Sequence, residues 1–168
     1  LARYLSPQIV DQIIERKVEV NLGGDRRIVT ALFSDIRQFN TLSETMPPDR
    51  LVAILNEYFN EMAHIIFQYQ GSLDKYIGDA IMAFWGAPVA VRDHAYRACE
   101  AALECQRHLR VLNEKWREEG RPELPTRIGI HTGETIVGNV GSRDRMSYSI
   151  YGDNVNLASR LEGVNRHY

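Results

Sequence analysis

The sequence predicts an α+β fold of ferredoxin-like order, βαββαβ, on three observations. Two long apolar segments of helical period, Asp49 to Gln70 and Asp93 to Glu119, alternate with strand-like runs. A Gly78-Asp79 pair separates two such runs, as in a tight hairpin. The first run, Arg27 to Ile36, is apolar and β-branched, as in a strand buried on both faces. That order gives an antiparallel sheet with both long helices on one face.

Each element follows from its own residues. Ile9, Val10, Ile13 and Ile14 mark a lead-in helix over Pro7 to Arg16, with Ser6 as cap and Pro7 at its first position. In Asp49 to Gln70, Leu51, Leu55, Tyr58, Met62 and Ile65 form one stripe that Gly71 stops. Ser72 to Ile77 and Ala80 to Trp85 are the hairpin strands. Ala98, Ala102, Cys105, Leu109 and Leu112 continue the helical period to Gly120 and Pro122. Pro125 to Val137 and Arg143 to Tyr151 read as strands and Asp153 to Val164 as a helix. Residues 1–24 are thus expected to be a lead-in helix and connector, and 25–168 a single domain.

Composition narrows the functions available. With 168 residues, 44% hydrophobic and 25% charged, the chain suits one compact unit and excludes wholesale disorder. Twenty basic against 22 acidic residues leave a net charge of −2, so no general attraction to nucleic acid or anionic membrane is expected and an anionic ligand must be met locally. The longest apolar stretch, Ala80 to Val91, is broken by Gly86 and Pro88 and falls short of the ~20 residues of a membrane span. Cys99 and Cys105, about 240° apart on a helix, should not pair; reduced thiols suit a cytoplasmic location. The chain opens on Leu1 without a leader pattern and is expected to be a piece of a longer protein with regulatory domains upstream.

Two carboxylates stand out. Asp35 ends the first strand and Asp79 tips the hairpin, which lies beside that strand in the expected sheet, so the two can converge. Two hard oxygen ligands suit a divalent cation that keeps waters and takes phosphate oxygens. Singly, Asp79 reads as a turn residue and Asp35 as a cap. From Phe33 to Asn40 the chain passes from strand into helix, so the N–H groups of Arg37, Gln38, Phe39 and Asn40 are expected to be free to face a phosphate. There is no Gly-rich phosphate loop with its lysine. Arg127 lies in an apolar strand, either as an edge residue or as a phosphate clamp; His131 in the same strand reads as structural. Asn156 and Arg160, four apart, share a helix face that is either solvated or able to orient a sugar and neutralise a phosphate.

Four segments in order resemble the catalytic domain of class III adenylate/guanylate cyclases: Phe33-Ser-Asp-Ile, Asp74-Lys-Tyr-Ile-Gly-Asp79-Ala, Arg127-Ile-Gly-Ile-His-Thr-Gly133 and Tyr151-Gly-Asp-Asn-Val-Asn156-Leu-Ala-Ser-Arg160-Leu-Glu162. The resemblance implies a palm-type sheet and two Mg²⁺ or Mn²⁺ ions held by Asp35, Asp79 and the carbonyl of Ile36. It implies base-reading roles for Lys75 and Ser149, a ribose-orienting Asn156, a transition-state Arg160 and a phosphate contact at Arg127. It also implies a head-to-tail homodimer with sites shared between protomers, and family members continue past the position of Tyr168 to a further phosphate-binding lysine.

Lys75 can donate to adenine N1 and Ser149 can accept from N6, whereas guanine reverses both polarities, so ATP is the expected substrate. Guanylate cyclases of the family carry Glu and usually Cys at these positions; adenylate cyclases more often carry Asp or Thr where Ser149 stands. The expected product is 3′,5′-cyclic AMP. A guanylate cyclase, a diguanylate-forming palm enzyme and a catalytically silent regulatory dimerisation domain are the alternatives.

Overall fold

A computed structural model of the chain describes residues 10, 11, 14, 15, 24–142, 144 and 146–167. Most of the expected lead-in helix lies outside the described residues; Val10, Asp11, Ile14 and Glu15 are helical. From there the order is β1 (Asp25–Ile36), α1 (Phe39–Thr45), α2 (Pro48–Gln68), β2 (Ser72–Ile77), β3 (Ala80–Trp85), α3 (His94–Glu118), β4 (Thr126–Gly141), β5 (Met146–Tyr151) and α4 (Asp153–Val164). The strands form one antiparallel sheet, β2-β3-β1-β4-β5. The expected α+β class and element order hold.

Side-chain alternation explains why β1 reads as apolar throughout. Leu32 and Ile36 enter one core with Ile81, Ala83 and Trp85 of β3, covered by Tyr58 and Met62 of α2 and Cys105, Leu109 and Trp116 of α3. Val29 and Ala31 enter a second core with Met82, Phe84, Ile150 of β5, and Val155 and Ala158 of α4. The two long helices therefore share one face, as expected, and α4 packs on the other. Of the two cysteines, Cys105 is buried in the first core and Cys99 is exposed; neither is bridged.

Backbone chemistry sets the ends. Pro48 occupies the first position of α2, where a missing N–H costs nothing. That helix ends at Gln68, two residues before the expected end: Gln70 takes the left-handed conformation (φ 67°) and the Gly71 N–H donates to Ile66 O at 2.9 Å. At the end of α3, Gly120 (φ 71°) does the same, with Arg121 N–H on Trp116 O at 2.7 Å. The tight hairpin is present, with Ile77 paired to Ala80 across Gly78-Asp79.

The extent of β4 differs from expectation. The strand expected to end at Val137 runs on to Gly141, because pairing with β5 from Ile136↔Tyr151 to Gly141↔Met146 holds a glycine-containing stretch extended. The start expected for β5 at Arg143 lies outside the described residues. The helix expected where the chain leaves β1 is α1, of which Phe39 and Leu42 pack half-buried against the first core.

Glycines let α4 lie directly on β4. A Cβ at Gly129 would stand 2.1 Å from Glu162 N and 2.6 Å from Ala158 O, and one at Gly133 would stand 2.4 Å from the Asn154 amide carbon. Only hydrogen fits at either place. His131, between them, bonds Asn154 Oδ1 at 2.8 Å, and Asn154 Nδ2 donates to Glu134 O, so this histidine fastens helix to strand.

Candidate active site

The end of β1 is a cluster of charge. Asp35 is the register partner of Arg127 on β4, and the guanidinium grips it with a fork, Nε to Oδ1 at 2.8 Å and Nη2 to Oδ2 at 2.9 Å. Both side chains are mostly buried, 16% and 15% exposed. The Arg166 guanidinium stands 3.8 Å from the same carboxylate. The hairpin tip closes on this point, since Asp79 Oδ2 accepts the Ile36 N–H at 2.8 Å. The two aspartates expected to converge do reach the same end of β1, one on residue 35 and the other bonded to the peptide N–H of residue 36.

Glu162 is a third carboxyl here, given no role by sequence reasoning. Its Oε1 lies 3.3 Å from Arg127 Nε without hydrogen-bond geometry. Burial first, and then the neighbouring Asp35 charge, push its pKa up to about 7. A signal was available: Glu162 continues the buried stripe of Val155 and Ala158 at helical spacing, where a carboxylate is out of place unless paired.

The donor set suits a divalent cation. Asp35 and Glu162 share Arg127, with Arg166 beside Asp35 and Asp79 at the same end of β1, so three carboxyls meet two guanidinium groups. Among the described residues no three His, Cys, Asp or Glu side chains form a closed metal cage. Mg²⁺ does not require one, because it is commonly bound through one or two carboxylates plus water and phosphate. A carboxylate has about four lone-pair sites, of which the Arg127 fork takes two on Asp35.

The strand-to-helix turn needs correction. The Arg37 N–H, expected to be free, donates to Pro125 O at 2.7 Å, because the chain leaving β1 stays beside the residue that leads into β4. The open stretch therefore begins at Gln38, which is left-handed (φ 56°), and passes to Phe39 and Asn40 in the first turn of α1. Arg127, expected as a phosphate contact, is engaged with Asp35.

A second cluster joins opposite edges of the sheet. Ser149 of β5 donates its hydroxyl proton to Asp74 Oδ2 on β2, and Lys75 Nζ stands 3.7 Å from Asp74 Oδ1. Lys75 is 45% exposed at its side chain, whereas Asp74 is 1% exposed and its pKa is raised, chiefly by burial. The two expected base-reading residues thus meet at one carboxylate that sequence reasoning left without a role.

Asn156 and Arg160 form a third set. Both are exposed, and among the described residues neither side chain makes a hydrogen bond or ion pair. Arg160 precedes Glu162 by two residues, which is about 160° around the helix. Because Glu162 points at Arg127, Arg160 points away from Asp35 of its own chain.

Known proteins place this arrangement. The family model for the adenylate and guanylate cyclase catalytic domain matches residues 25–167. Adenylate cyclase 1 of Rhizobium meliloti is 41% identical over 99% of this chain and 25% of that protein. An adenylate cyclase of Anabaena cylindrica is 36% identical over 98% of this chain and 31% of that protein. The chain therefore spans about a quarter to a third of the length of these relatives. Among solved structures, the adenylyl cyclase CyaB from P. aeruginosa superposes with TM-score 0.82 at 42% identity, covering 85% of this chain and 74% of that one. The guanylyl cyclase Cya2 gives 0.81, also at 42% identity, with 84% and 72% covered. No helix among the described residues is long and apolar enough to cross a membrane. With the family model matched over residues 25–167 and two carboxylates at the end of β1, the chain belongs to the class III adenylate/guanylate cyclase catalytic-domain family.

Proposed function

We propose that this chain is the catalytic domain of an adenylate cyclase that converts ATP to 3′,5′-cyclic AMP and pyrophosphate in a head-to-tail homodimer. The observation that carries the choice of base is the meeting of Lys75 and Ser149 at Asp74. An ammonium can only donate, and it matches the N1 acceptor of adenine; the serine oxygen matches the 6-amino donor. Similarity does not discriminate, since an adenylyl and a guanylyl cyclase are equally identical to this chain.

Two Mg²⁺ or Mn²⁺ ions on Asp35, Asp79 and the Ile36 carbonyl would supply Lewis-acid stabilisation to the triphosphate and acidify the ribose 3′-hydroxyl. The protein's own groups do the rest. Lys75 and Ser149 fix the base, Asn156 orients the ribose and Arg160 balances charge that grows on the α-phosphate oxygens. The ribose O3′–Pα bond forms as the Pα–O bond to pyrophosphate breaks, and the hydroxyl proton leaves to solvent. Arg127 holds Asp35 in place; Gln38, Phe39 and Asn40 offer amides, and Arg37 its side chain, to the phosphates. Asn156 and Arg160 face away from their own Asp35, which supports a site completed by a second copy. A cytoplasmic location with regulatory domains outside this segment belongs to the same proposal.

The test is incubation of the full-length protein with ATP or GTP and Mn²⁺, with products separated chromatographically. Cyclic AMP from ATP is expected. Cyclic GMP alone would make the protein a guanylate cyclase, a dinucleotide from GTP would make it a diguanylate-forming enzyme, and no product from either would indicate a silent dimerisation domain; each overturns the proposal.

A further inference from the structure

Asp74 has no task in the mechanism above, yet it links the two residues that read the base. Its position is set by a break in the β2–β3 ladder: Leu73 pairs with Ala83 and Lys75 with Met82, so Asp74 is an extra residue without a register partner. Such a bulge interrupts the alternation of faces. Adjacent side chains that would otherwise point oppositely bring a carboxylate and an ammonium within 3.7 Å. The carboxylate is buried, and its Oδ1 has no hydrogen-bond partner among the described residues. Burying it without full pairing is costly in a way that an apolar side chain in the same place would not be.

The bond from Ser149 removes an ambiguity. A hydroxyl carries one proton and two lone pairs, and a free serine rotates to suit its ligand. It would accept from the 6-amino group of adenine or donate to the 6-oxygen of guanine. With its proton committed to Asp74 Oδ2, the Ser149 hydroxyl, itself buried in the single chain, would present only lone pairs to a base that reaches it.

We propose that Asp74 is a positioning residue for base specificity: its carboxylate holds the Ser149 hydroxyl as an acceptor and Lys75 as a donor, so the pair fits adenine and rejects guanine. This rests on the adenylate cyclase reading and explains how serine serves where a carboxylate or threonine is more usual. Asp74→Asn is the informative change. Lys75 attracts the amide oxygen, which turns the amide NH₂ toward Ser149 and returns the serine proton to the ligand.

The experiment compares kcat/KM for ATP and GTP in the full-length protein, its Asp74→Asn and Asp74→Ala variants, and the same changes in a Ser149→Ala background. In the wild-type background the ATP:GTP ratio is expected to fall roughly tenfold, the scale of one misdirected hydrogen bond. In the Ser149→Ala background replacing Asp74 should lower the ratio by clearly less, because the hydroxyl it orients is gone and only its hold on Lys75 remains. Impaired folding lowers both rates and leaves their ratio, and where turnover is lost, competition between ATP and GTP for binding reads the same quantity. An unchanged ratio, or an equal fall in both backgrounds, overturns the proposal. A wild-type protein that prefers GTP would instead refute the adenylate reading itself.

Discussion

Adding one methyl group at Gly129 tests the central placement, that of α4 on β4. A Cβ there would stand 2.1 Å from Glu162 N and 2.6 Å from Ala158 O. Both are backbone atoms of a helix, so no side chain can swing aside and the helix itself must lift. Overpacking of this kind costs typically 1–3 kcal/mol, occasionally more, and contacts this short belong at the upper end. Alanine returns about 0.5–1 kcal/mol by restricting the unfolded chain. The net loss is therefore about 2 kcal/mol or more, or a fall in melting temperature of roughly 4–8 °C for a domain of this size. The same displacement carries Asn156 and Arg160 with it, and a shift of about 1 Å in a positioning group can cost on the order of 10² in turnover. The control lies in the same helix: Gly163 has open space where its Cβ would go, so Gly163→Ala should leave stability unchanged or raise it. Melting curves and steady-state cyclase rates decide the matter. A Gly129→Ala protein that melts and turns over like the wild type would show that the helix does not rest on this strand.

Arg160→Ala should lower kcat about 10²–10³-fold with little change in KM or melting temperature, because the side chain is exposed and makes no pair among the described residues; steady-state kinetics on ATP check this. Arg127→Ala leaves Asp35 and Glu162 facing each other with only the largely exposed Arg166 nearby and should destabilise the fold by on the order of 3 kcal/mol, read by urea denaturation. Saturating Mn²⁺ should raise the melting temperature of the wild type, by mass action on the folded state, and fail to do so in an Asp35→Asn, Asp79→Asn double variant. Because burial raises the Asp74 pKa in the folded state, its contribution to stability is fullest below the ordinary carboxylate pKa and is lost as pH rises through the raised value. Asp74→Asn should therefore flatten the stability profile across that window in denaturation series at several pH values.

Local signals made most of the fold legible. The helical periods and the Gly78-Asp79 turn are properties of a few adjacent residues, and the alternation in β1 needs only two packed faces. What escaped depends on partners far away in sequence. The second half of β4 contains Gly138 and Gly141, which read as breakers until β5 supplies the ladder that holds them extended. The entry into α1 was expected but its end at Thr45 was not, since only Phe39 and Leu42 of its seven residues pack, half-buried, on the core. The carbonyl of Pro125 takes the Arg37 N–H, which no inspection of residues 33–40 alone could reveal. Likewise the bulge at Asp74 is a property of pairing between strands, whereas Glu162 was visible as a carboxylate on an apolar stripe.

The direction of α4 argues most strongly for a shared site. Its inward face carries Val155, Ala158 and Glu162, and the glycines of β4 fix that face against the sheet. Arg160 is then turned about 160° from Glu162, and rotating the helix to bring Arg160 over Asp35 would push Ala158 and Val155 into water. Losing the burial of those two side chains would cost about 2–4 kcal/mol, before counting the clash at Gly129. A reaction that needs both Asp35 and Arg160 therefore needs Arg160 from another copy. Mixing an Asp35→Asn chain with an Arg160→Ala chain should accordingly restore activity that neither variant has alone, since one of the two sites in the mixed pair would be intact; mixtures no more active than their components would confine each site to a single chain.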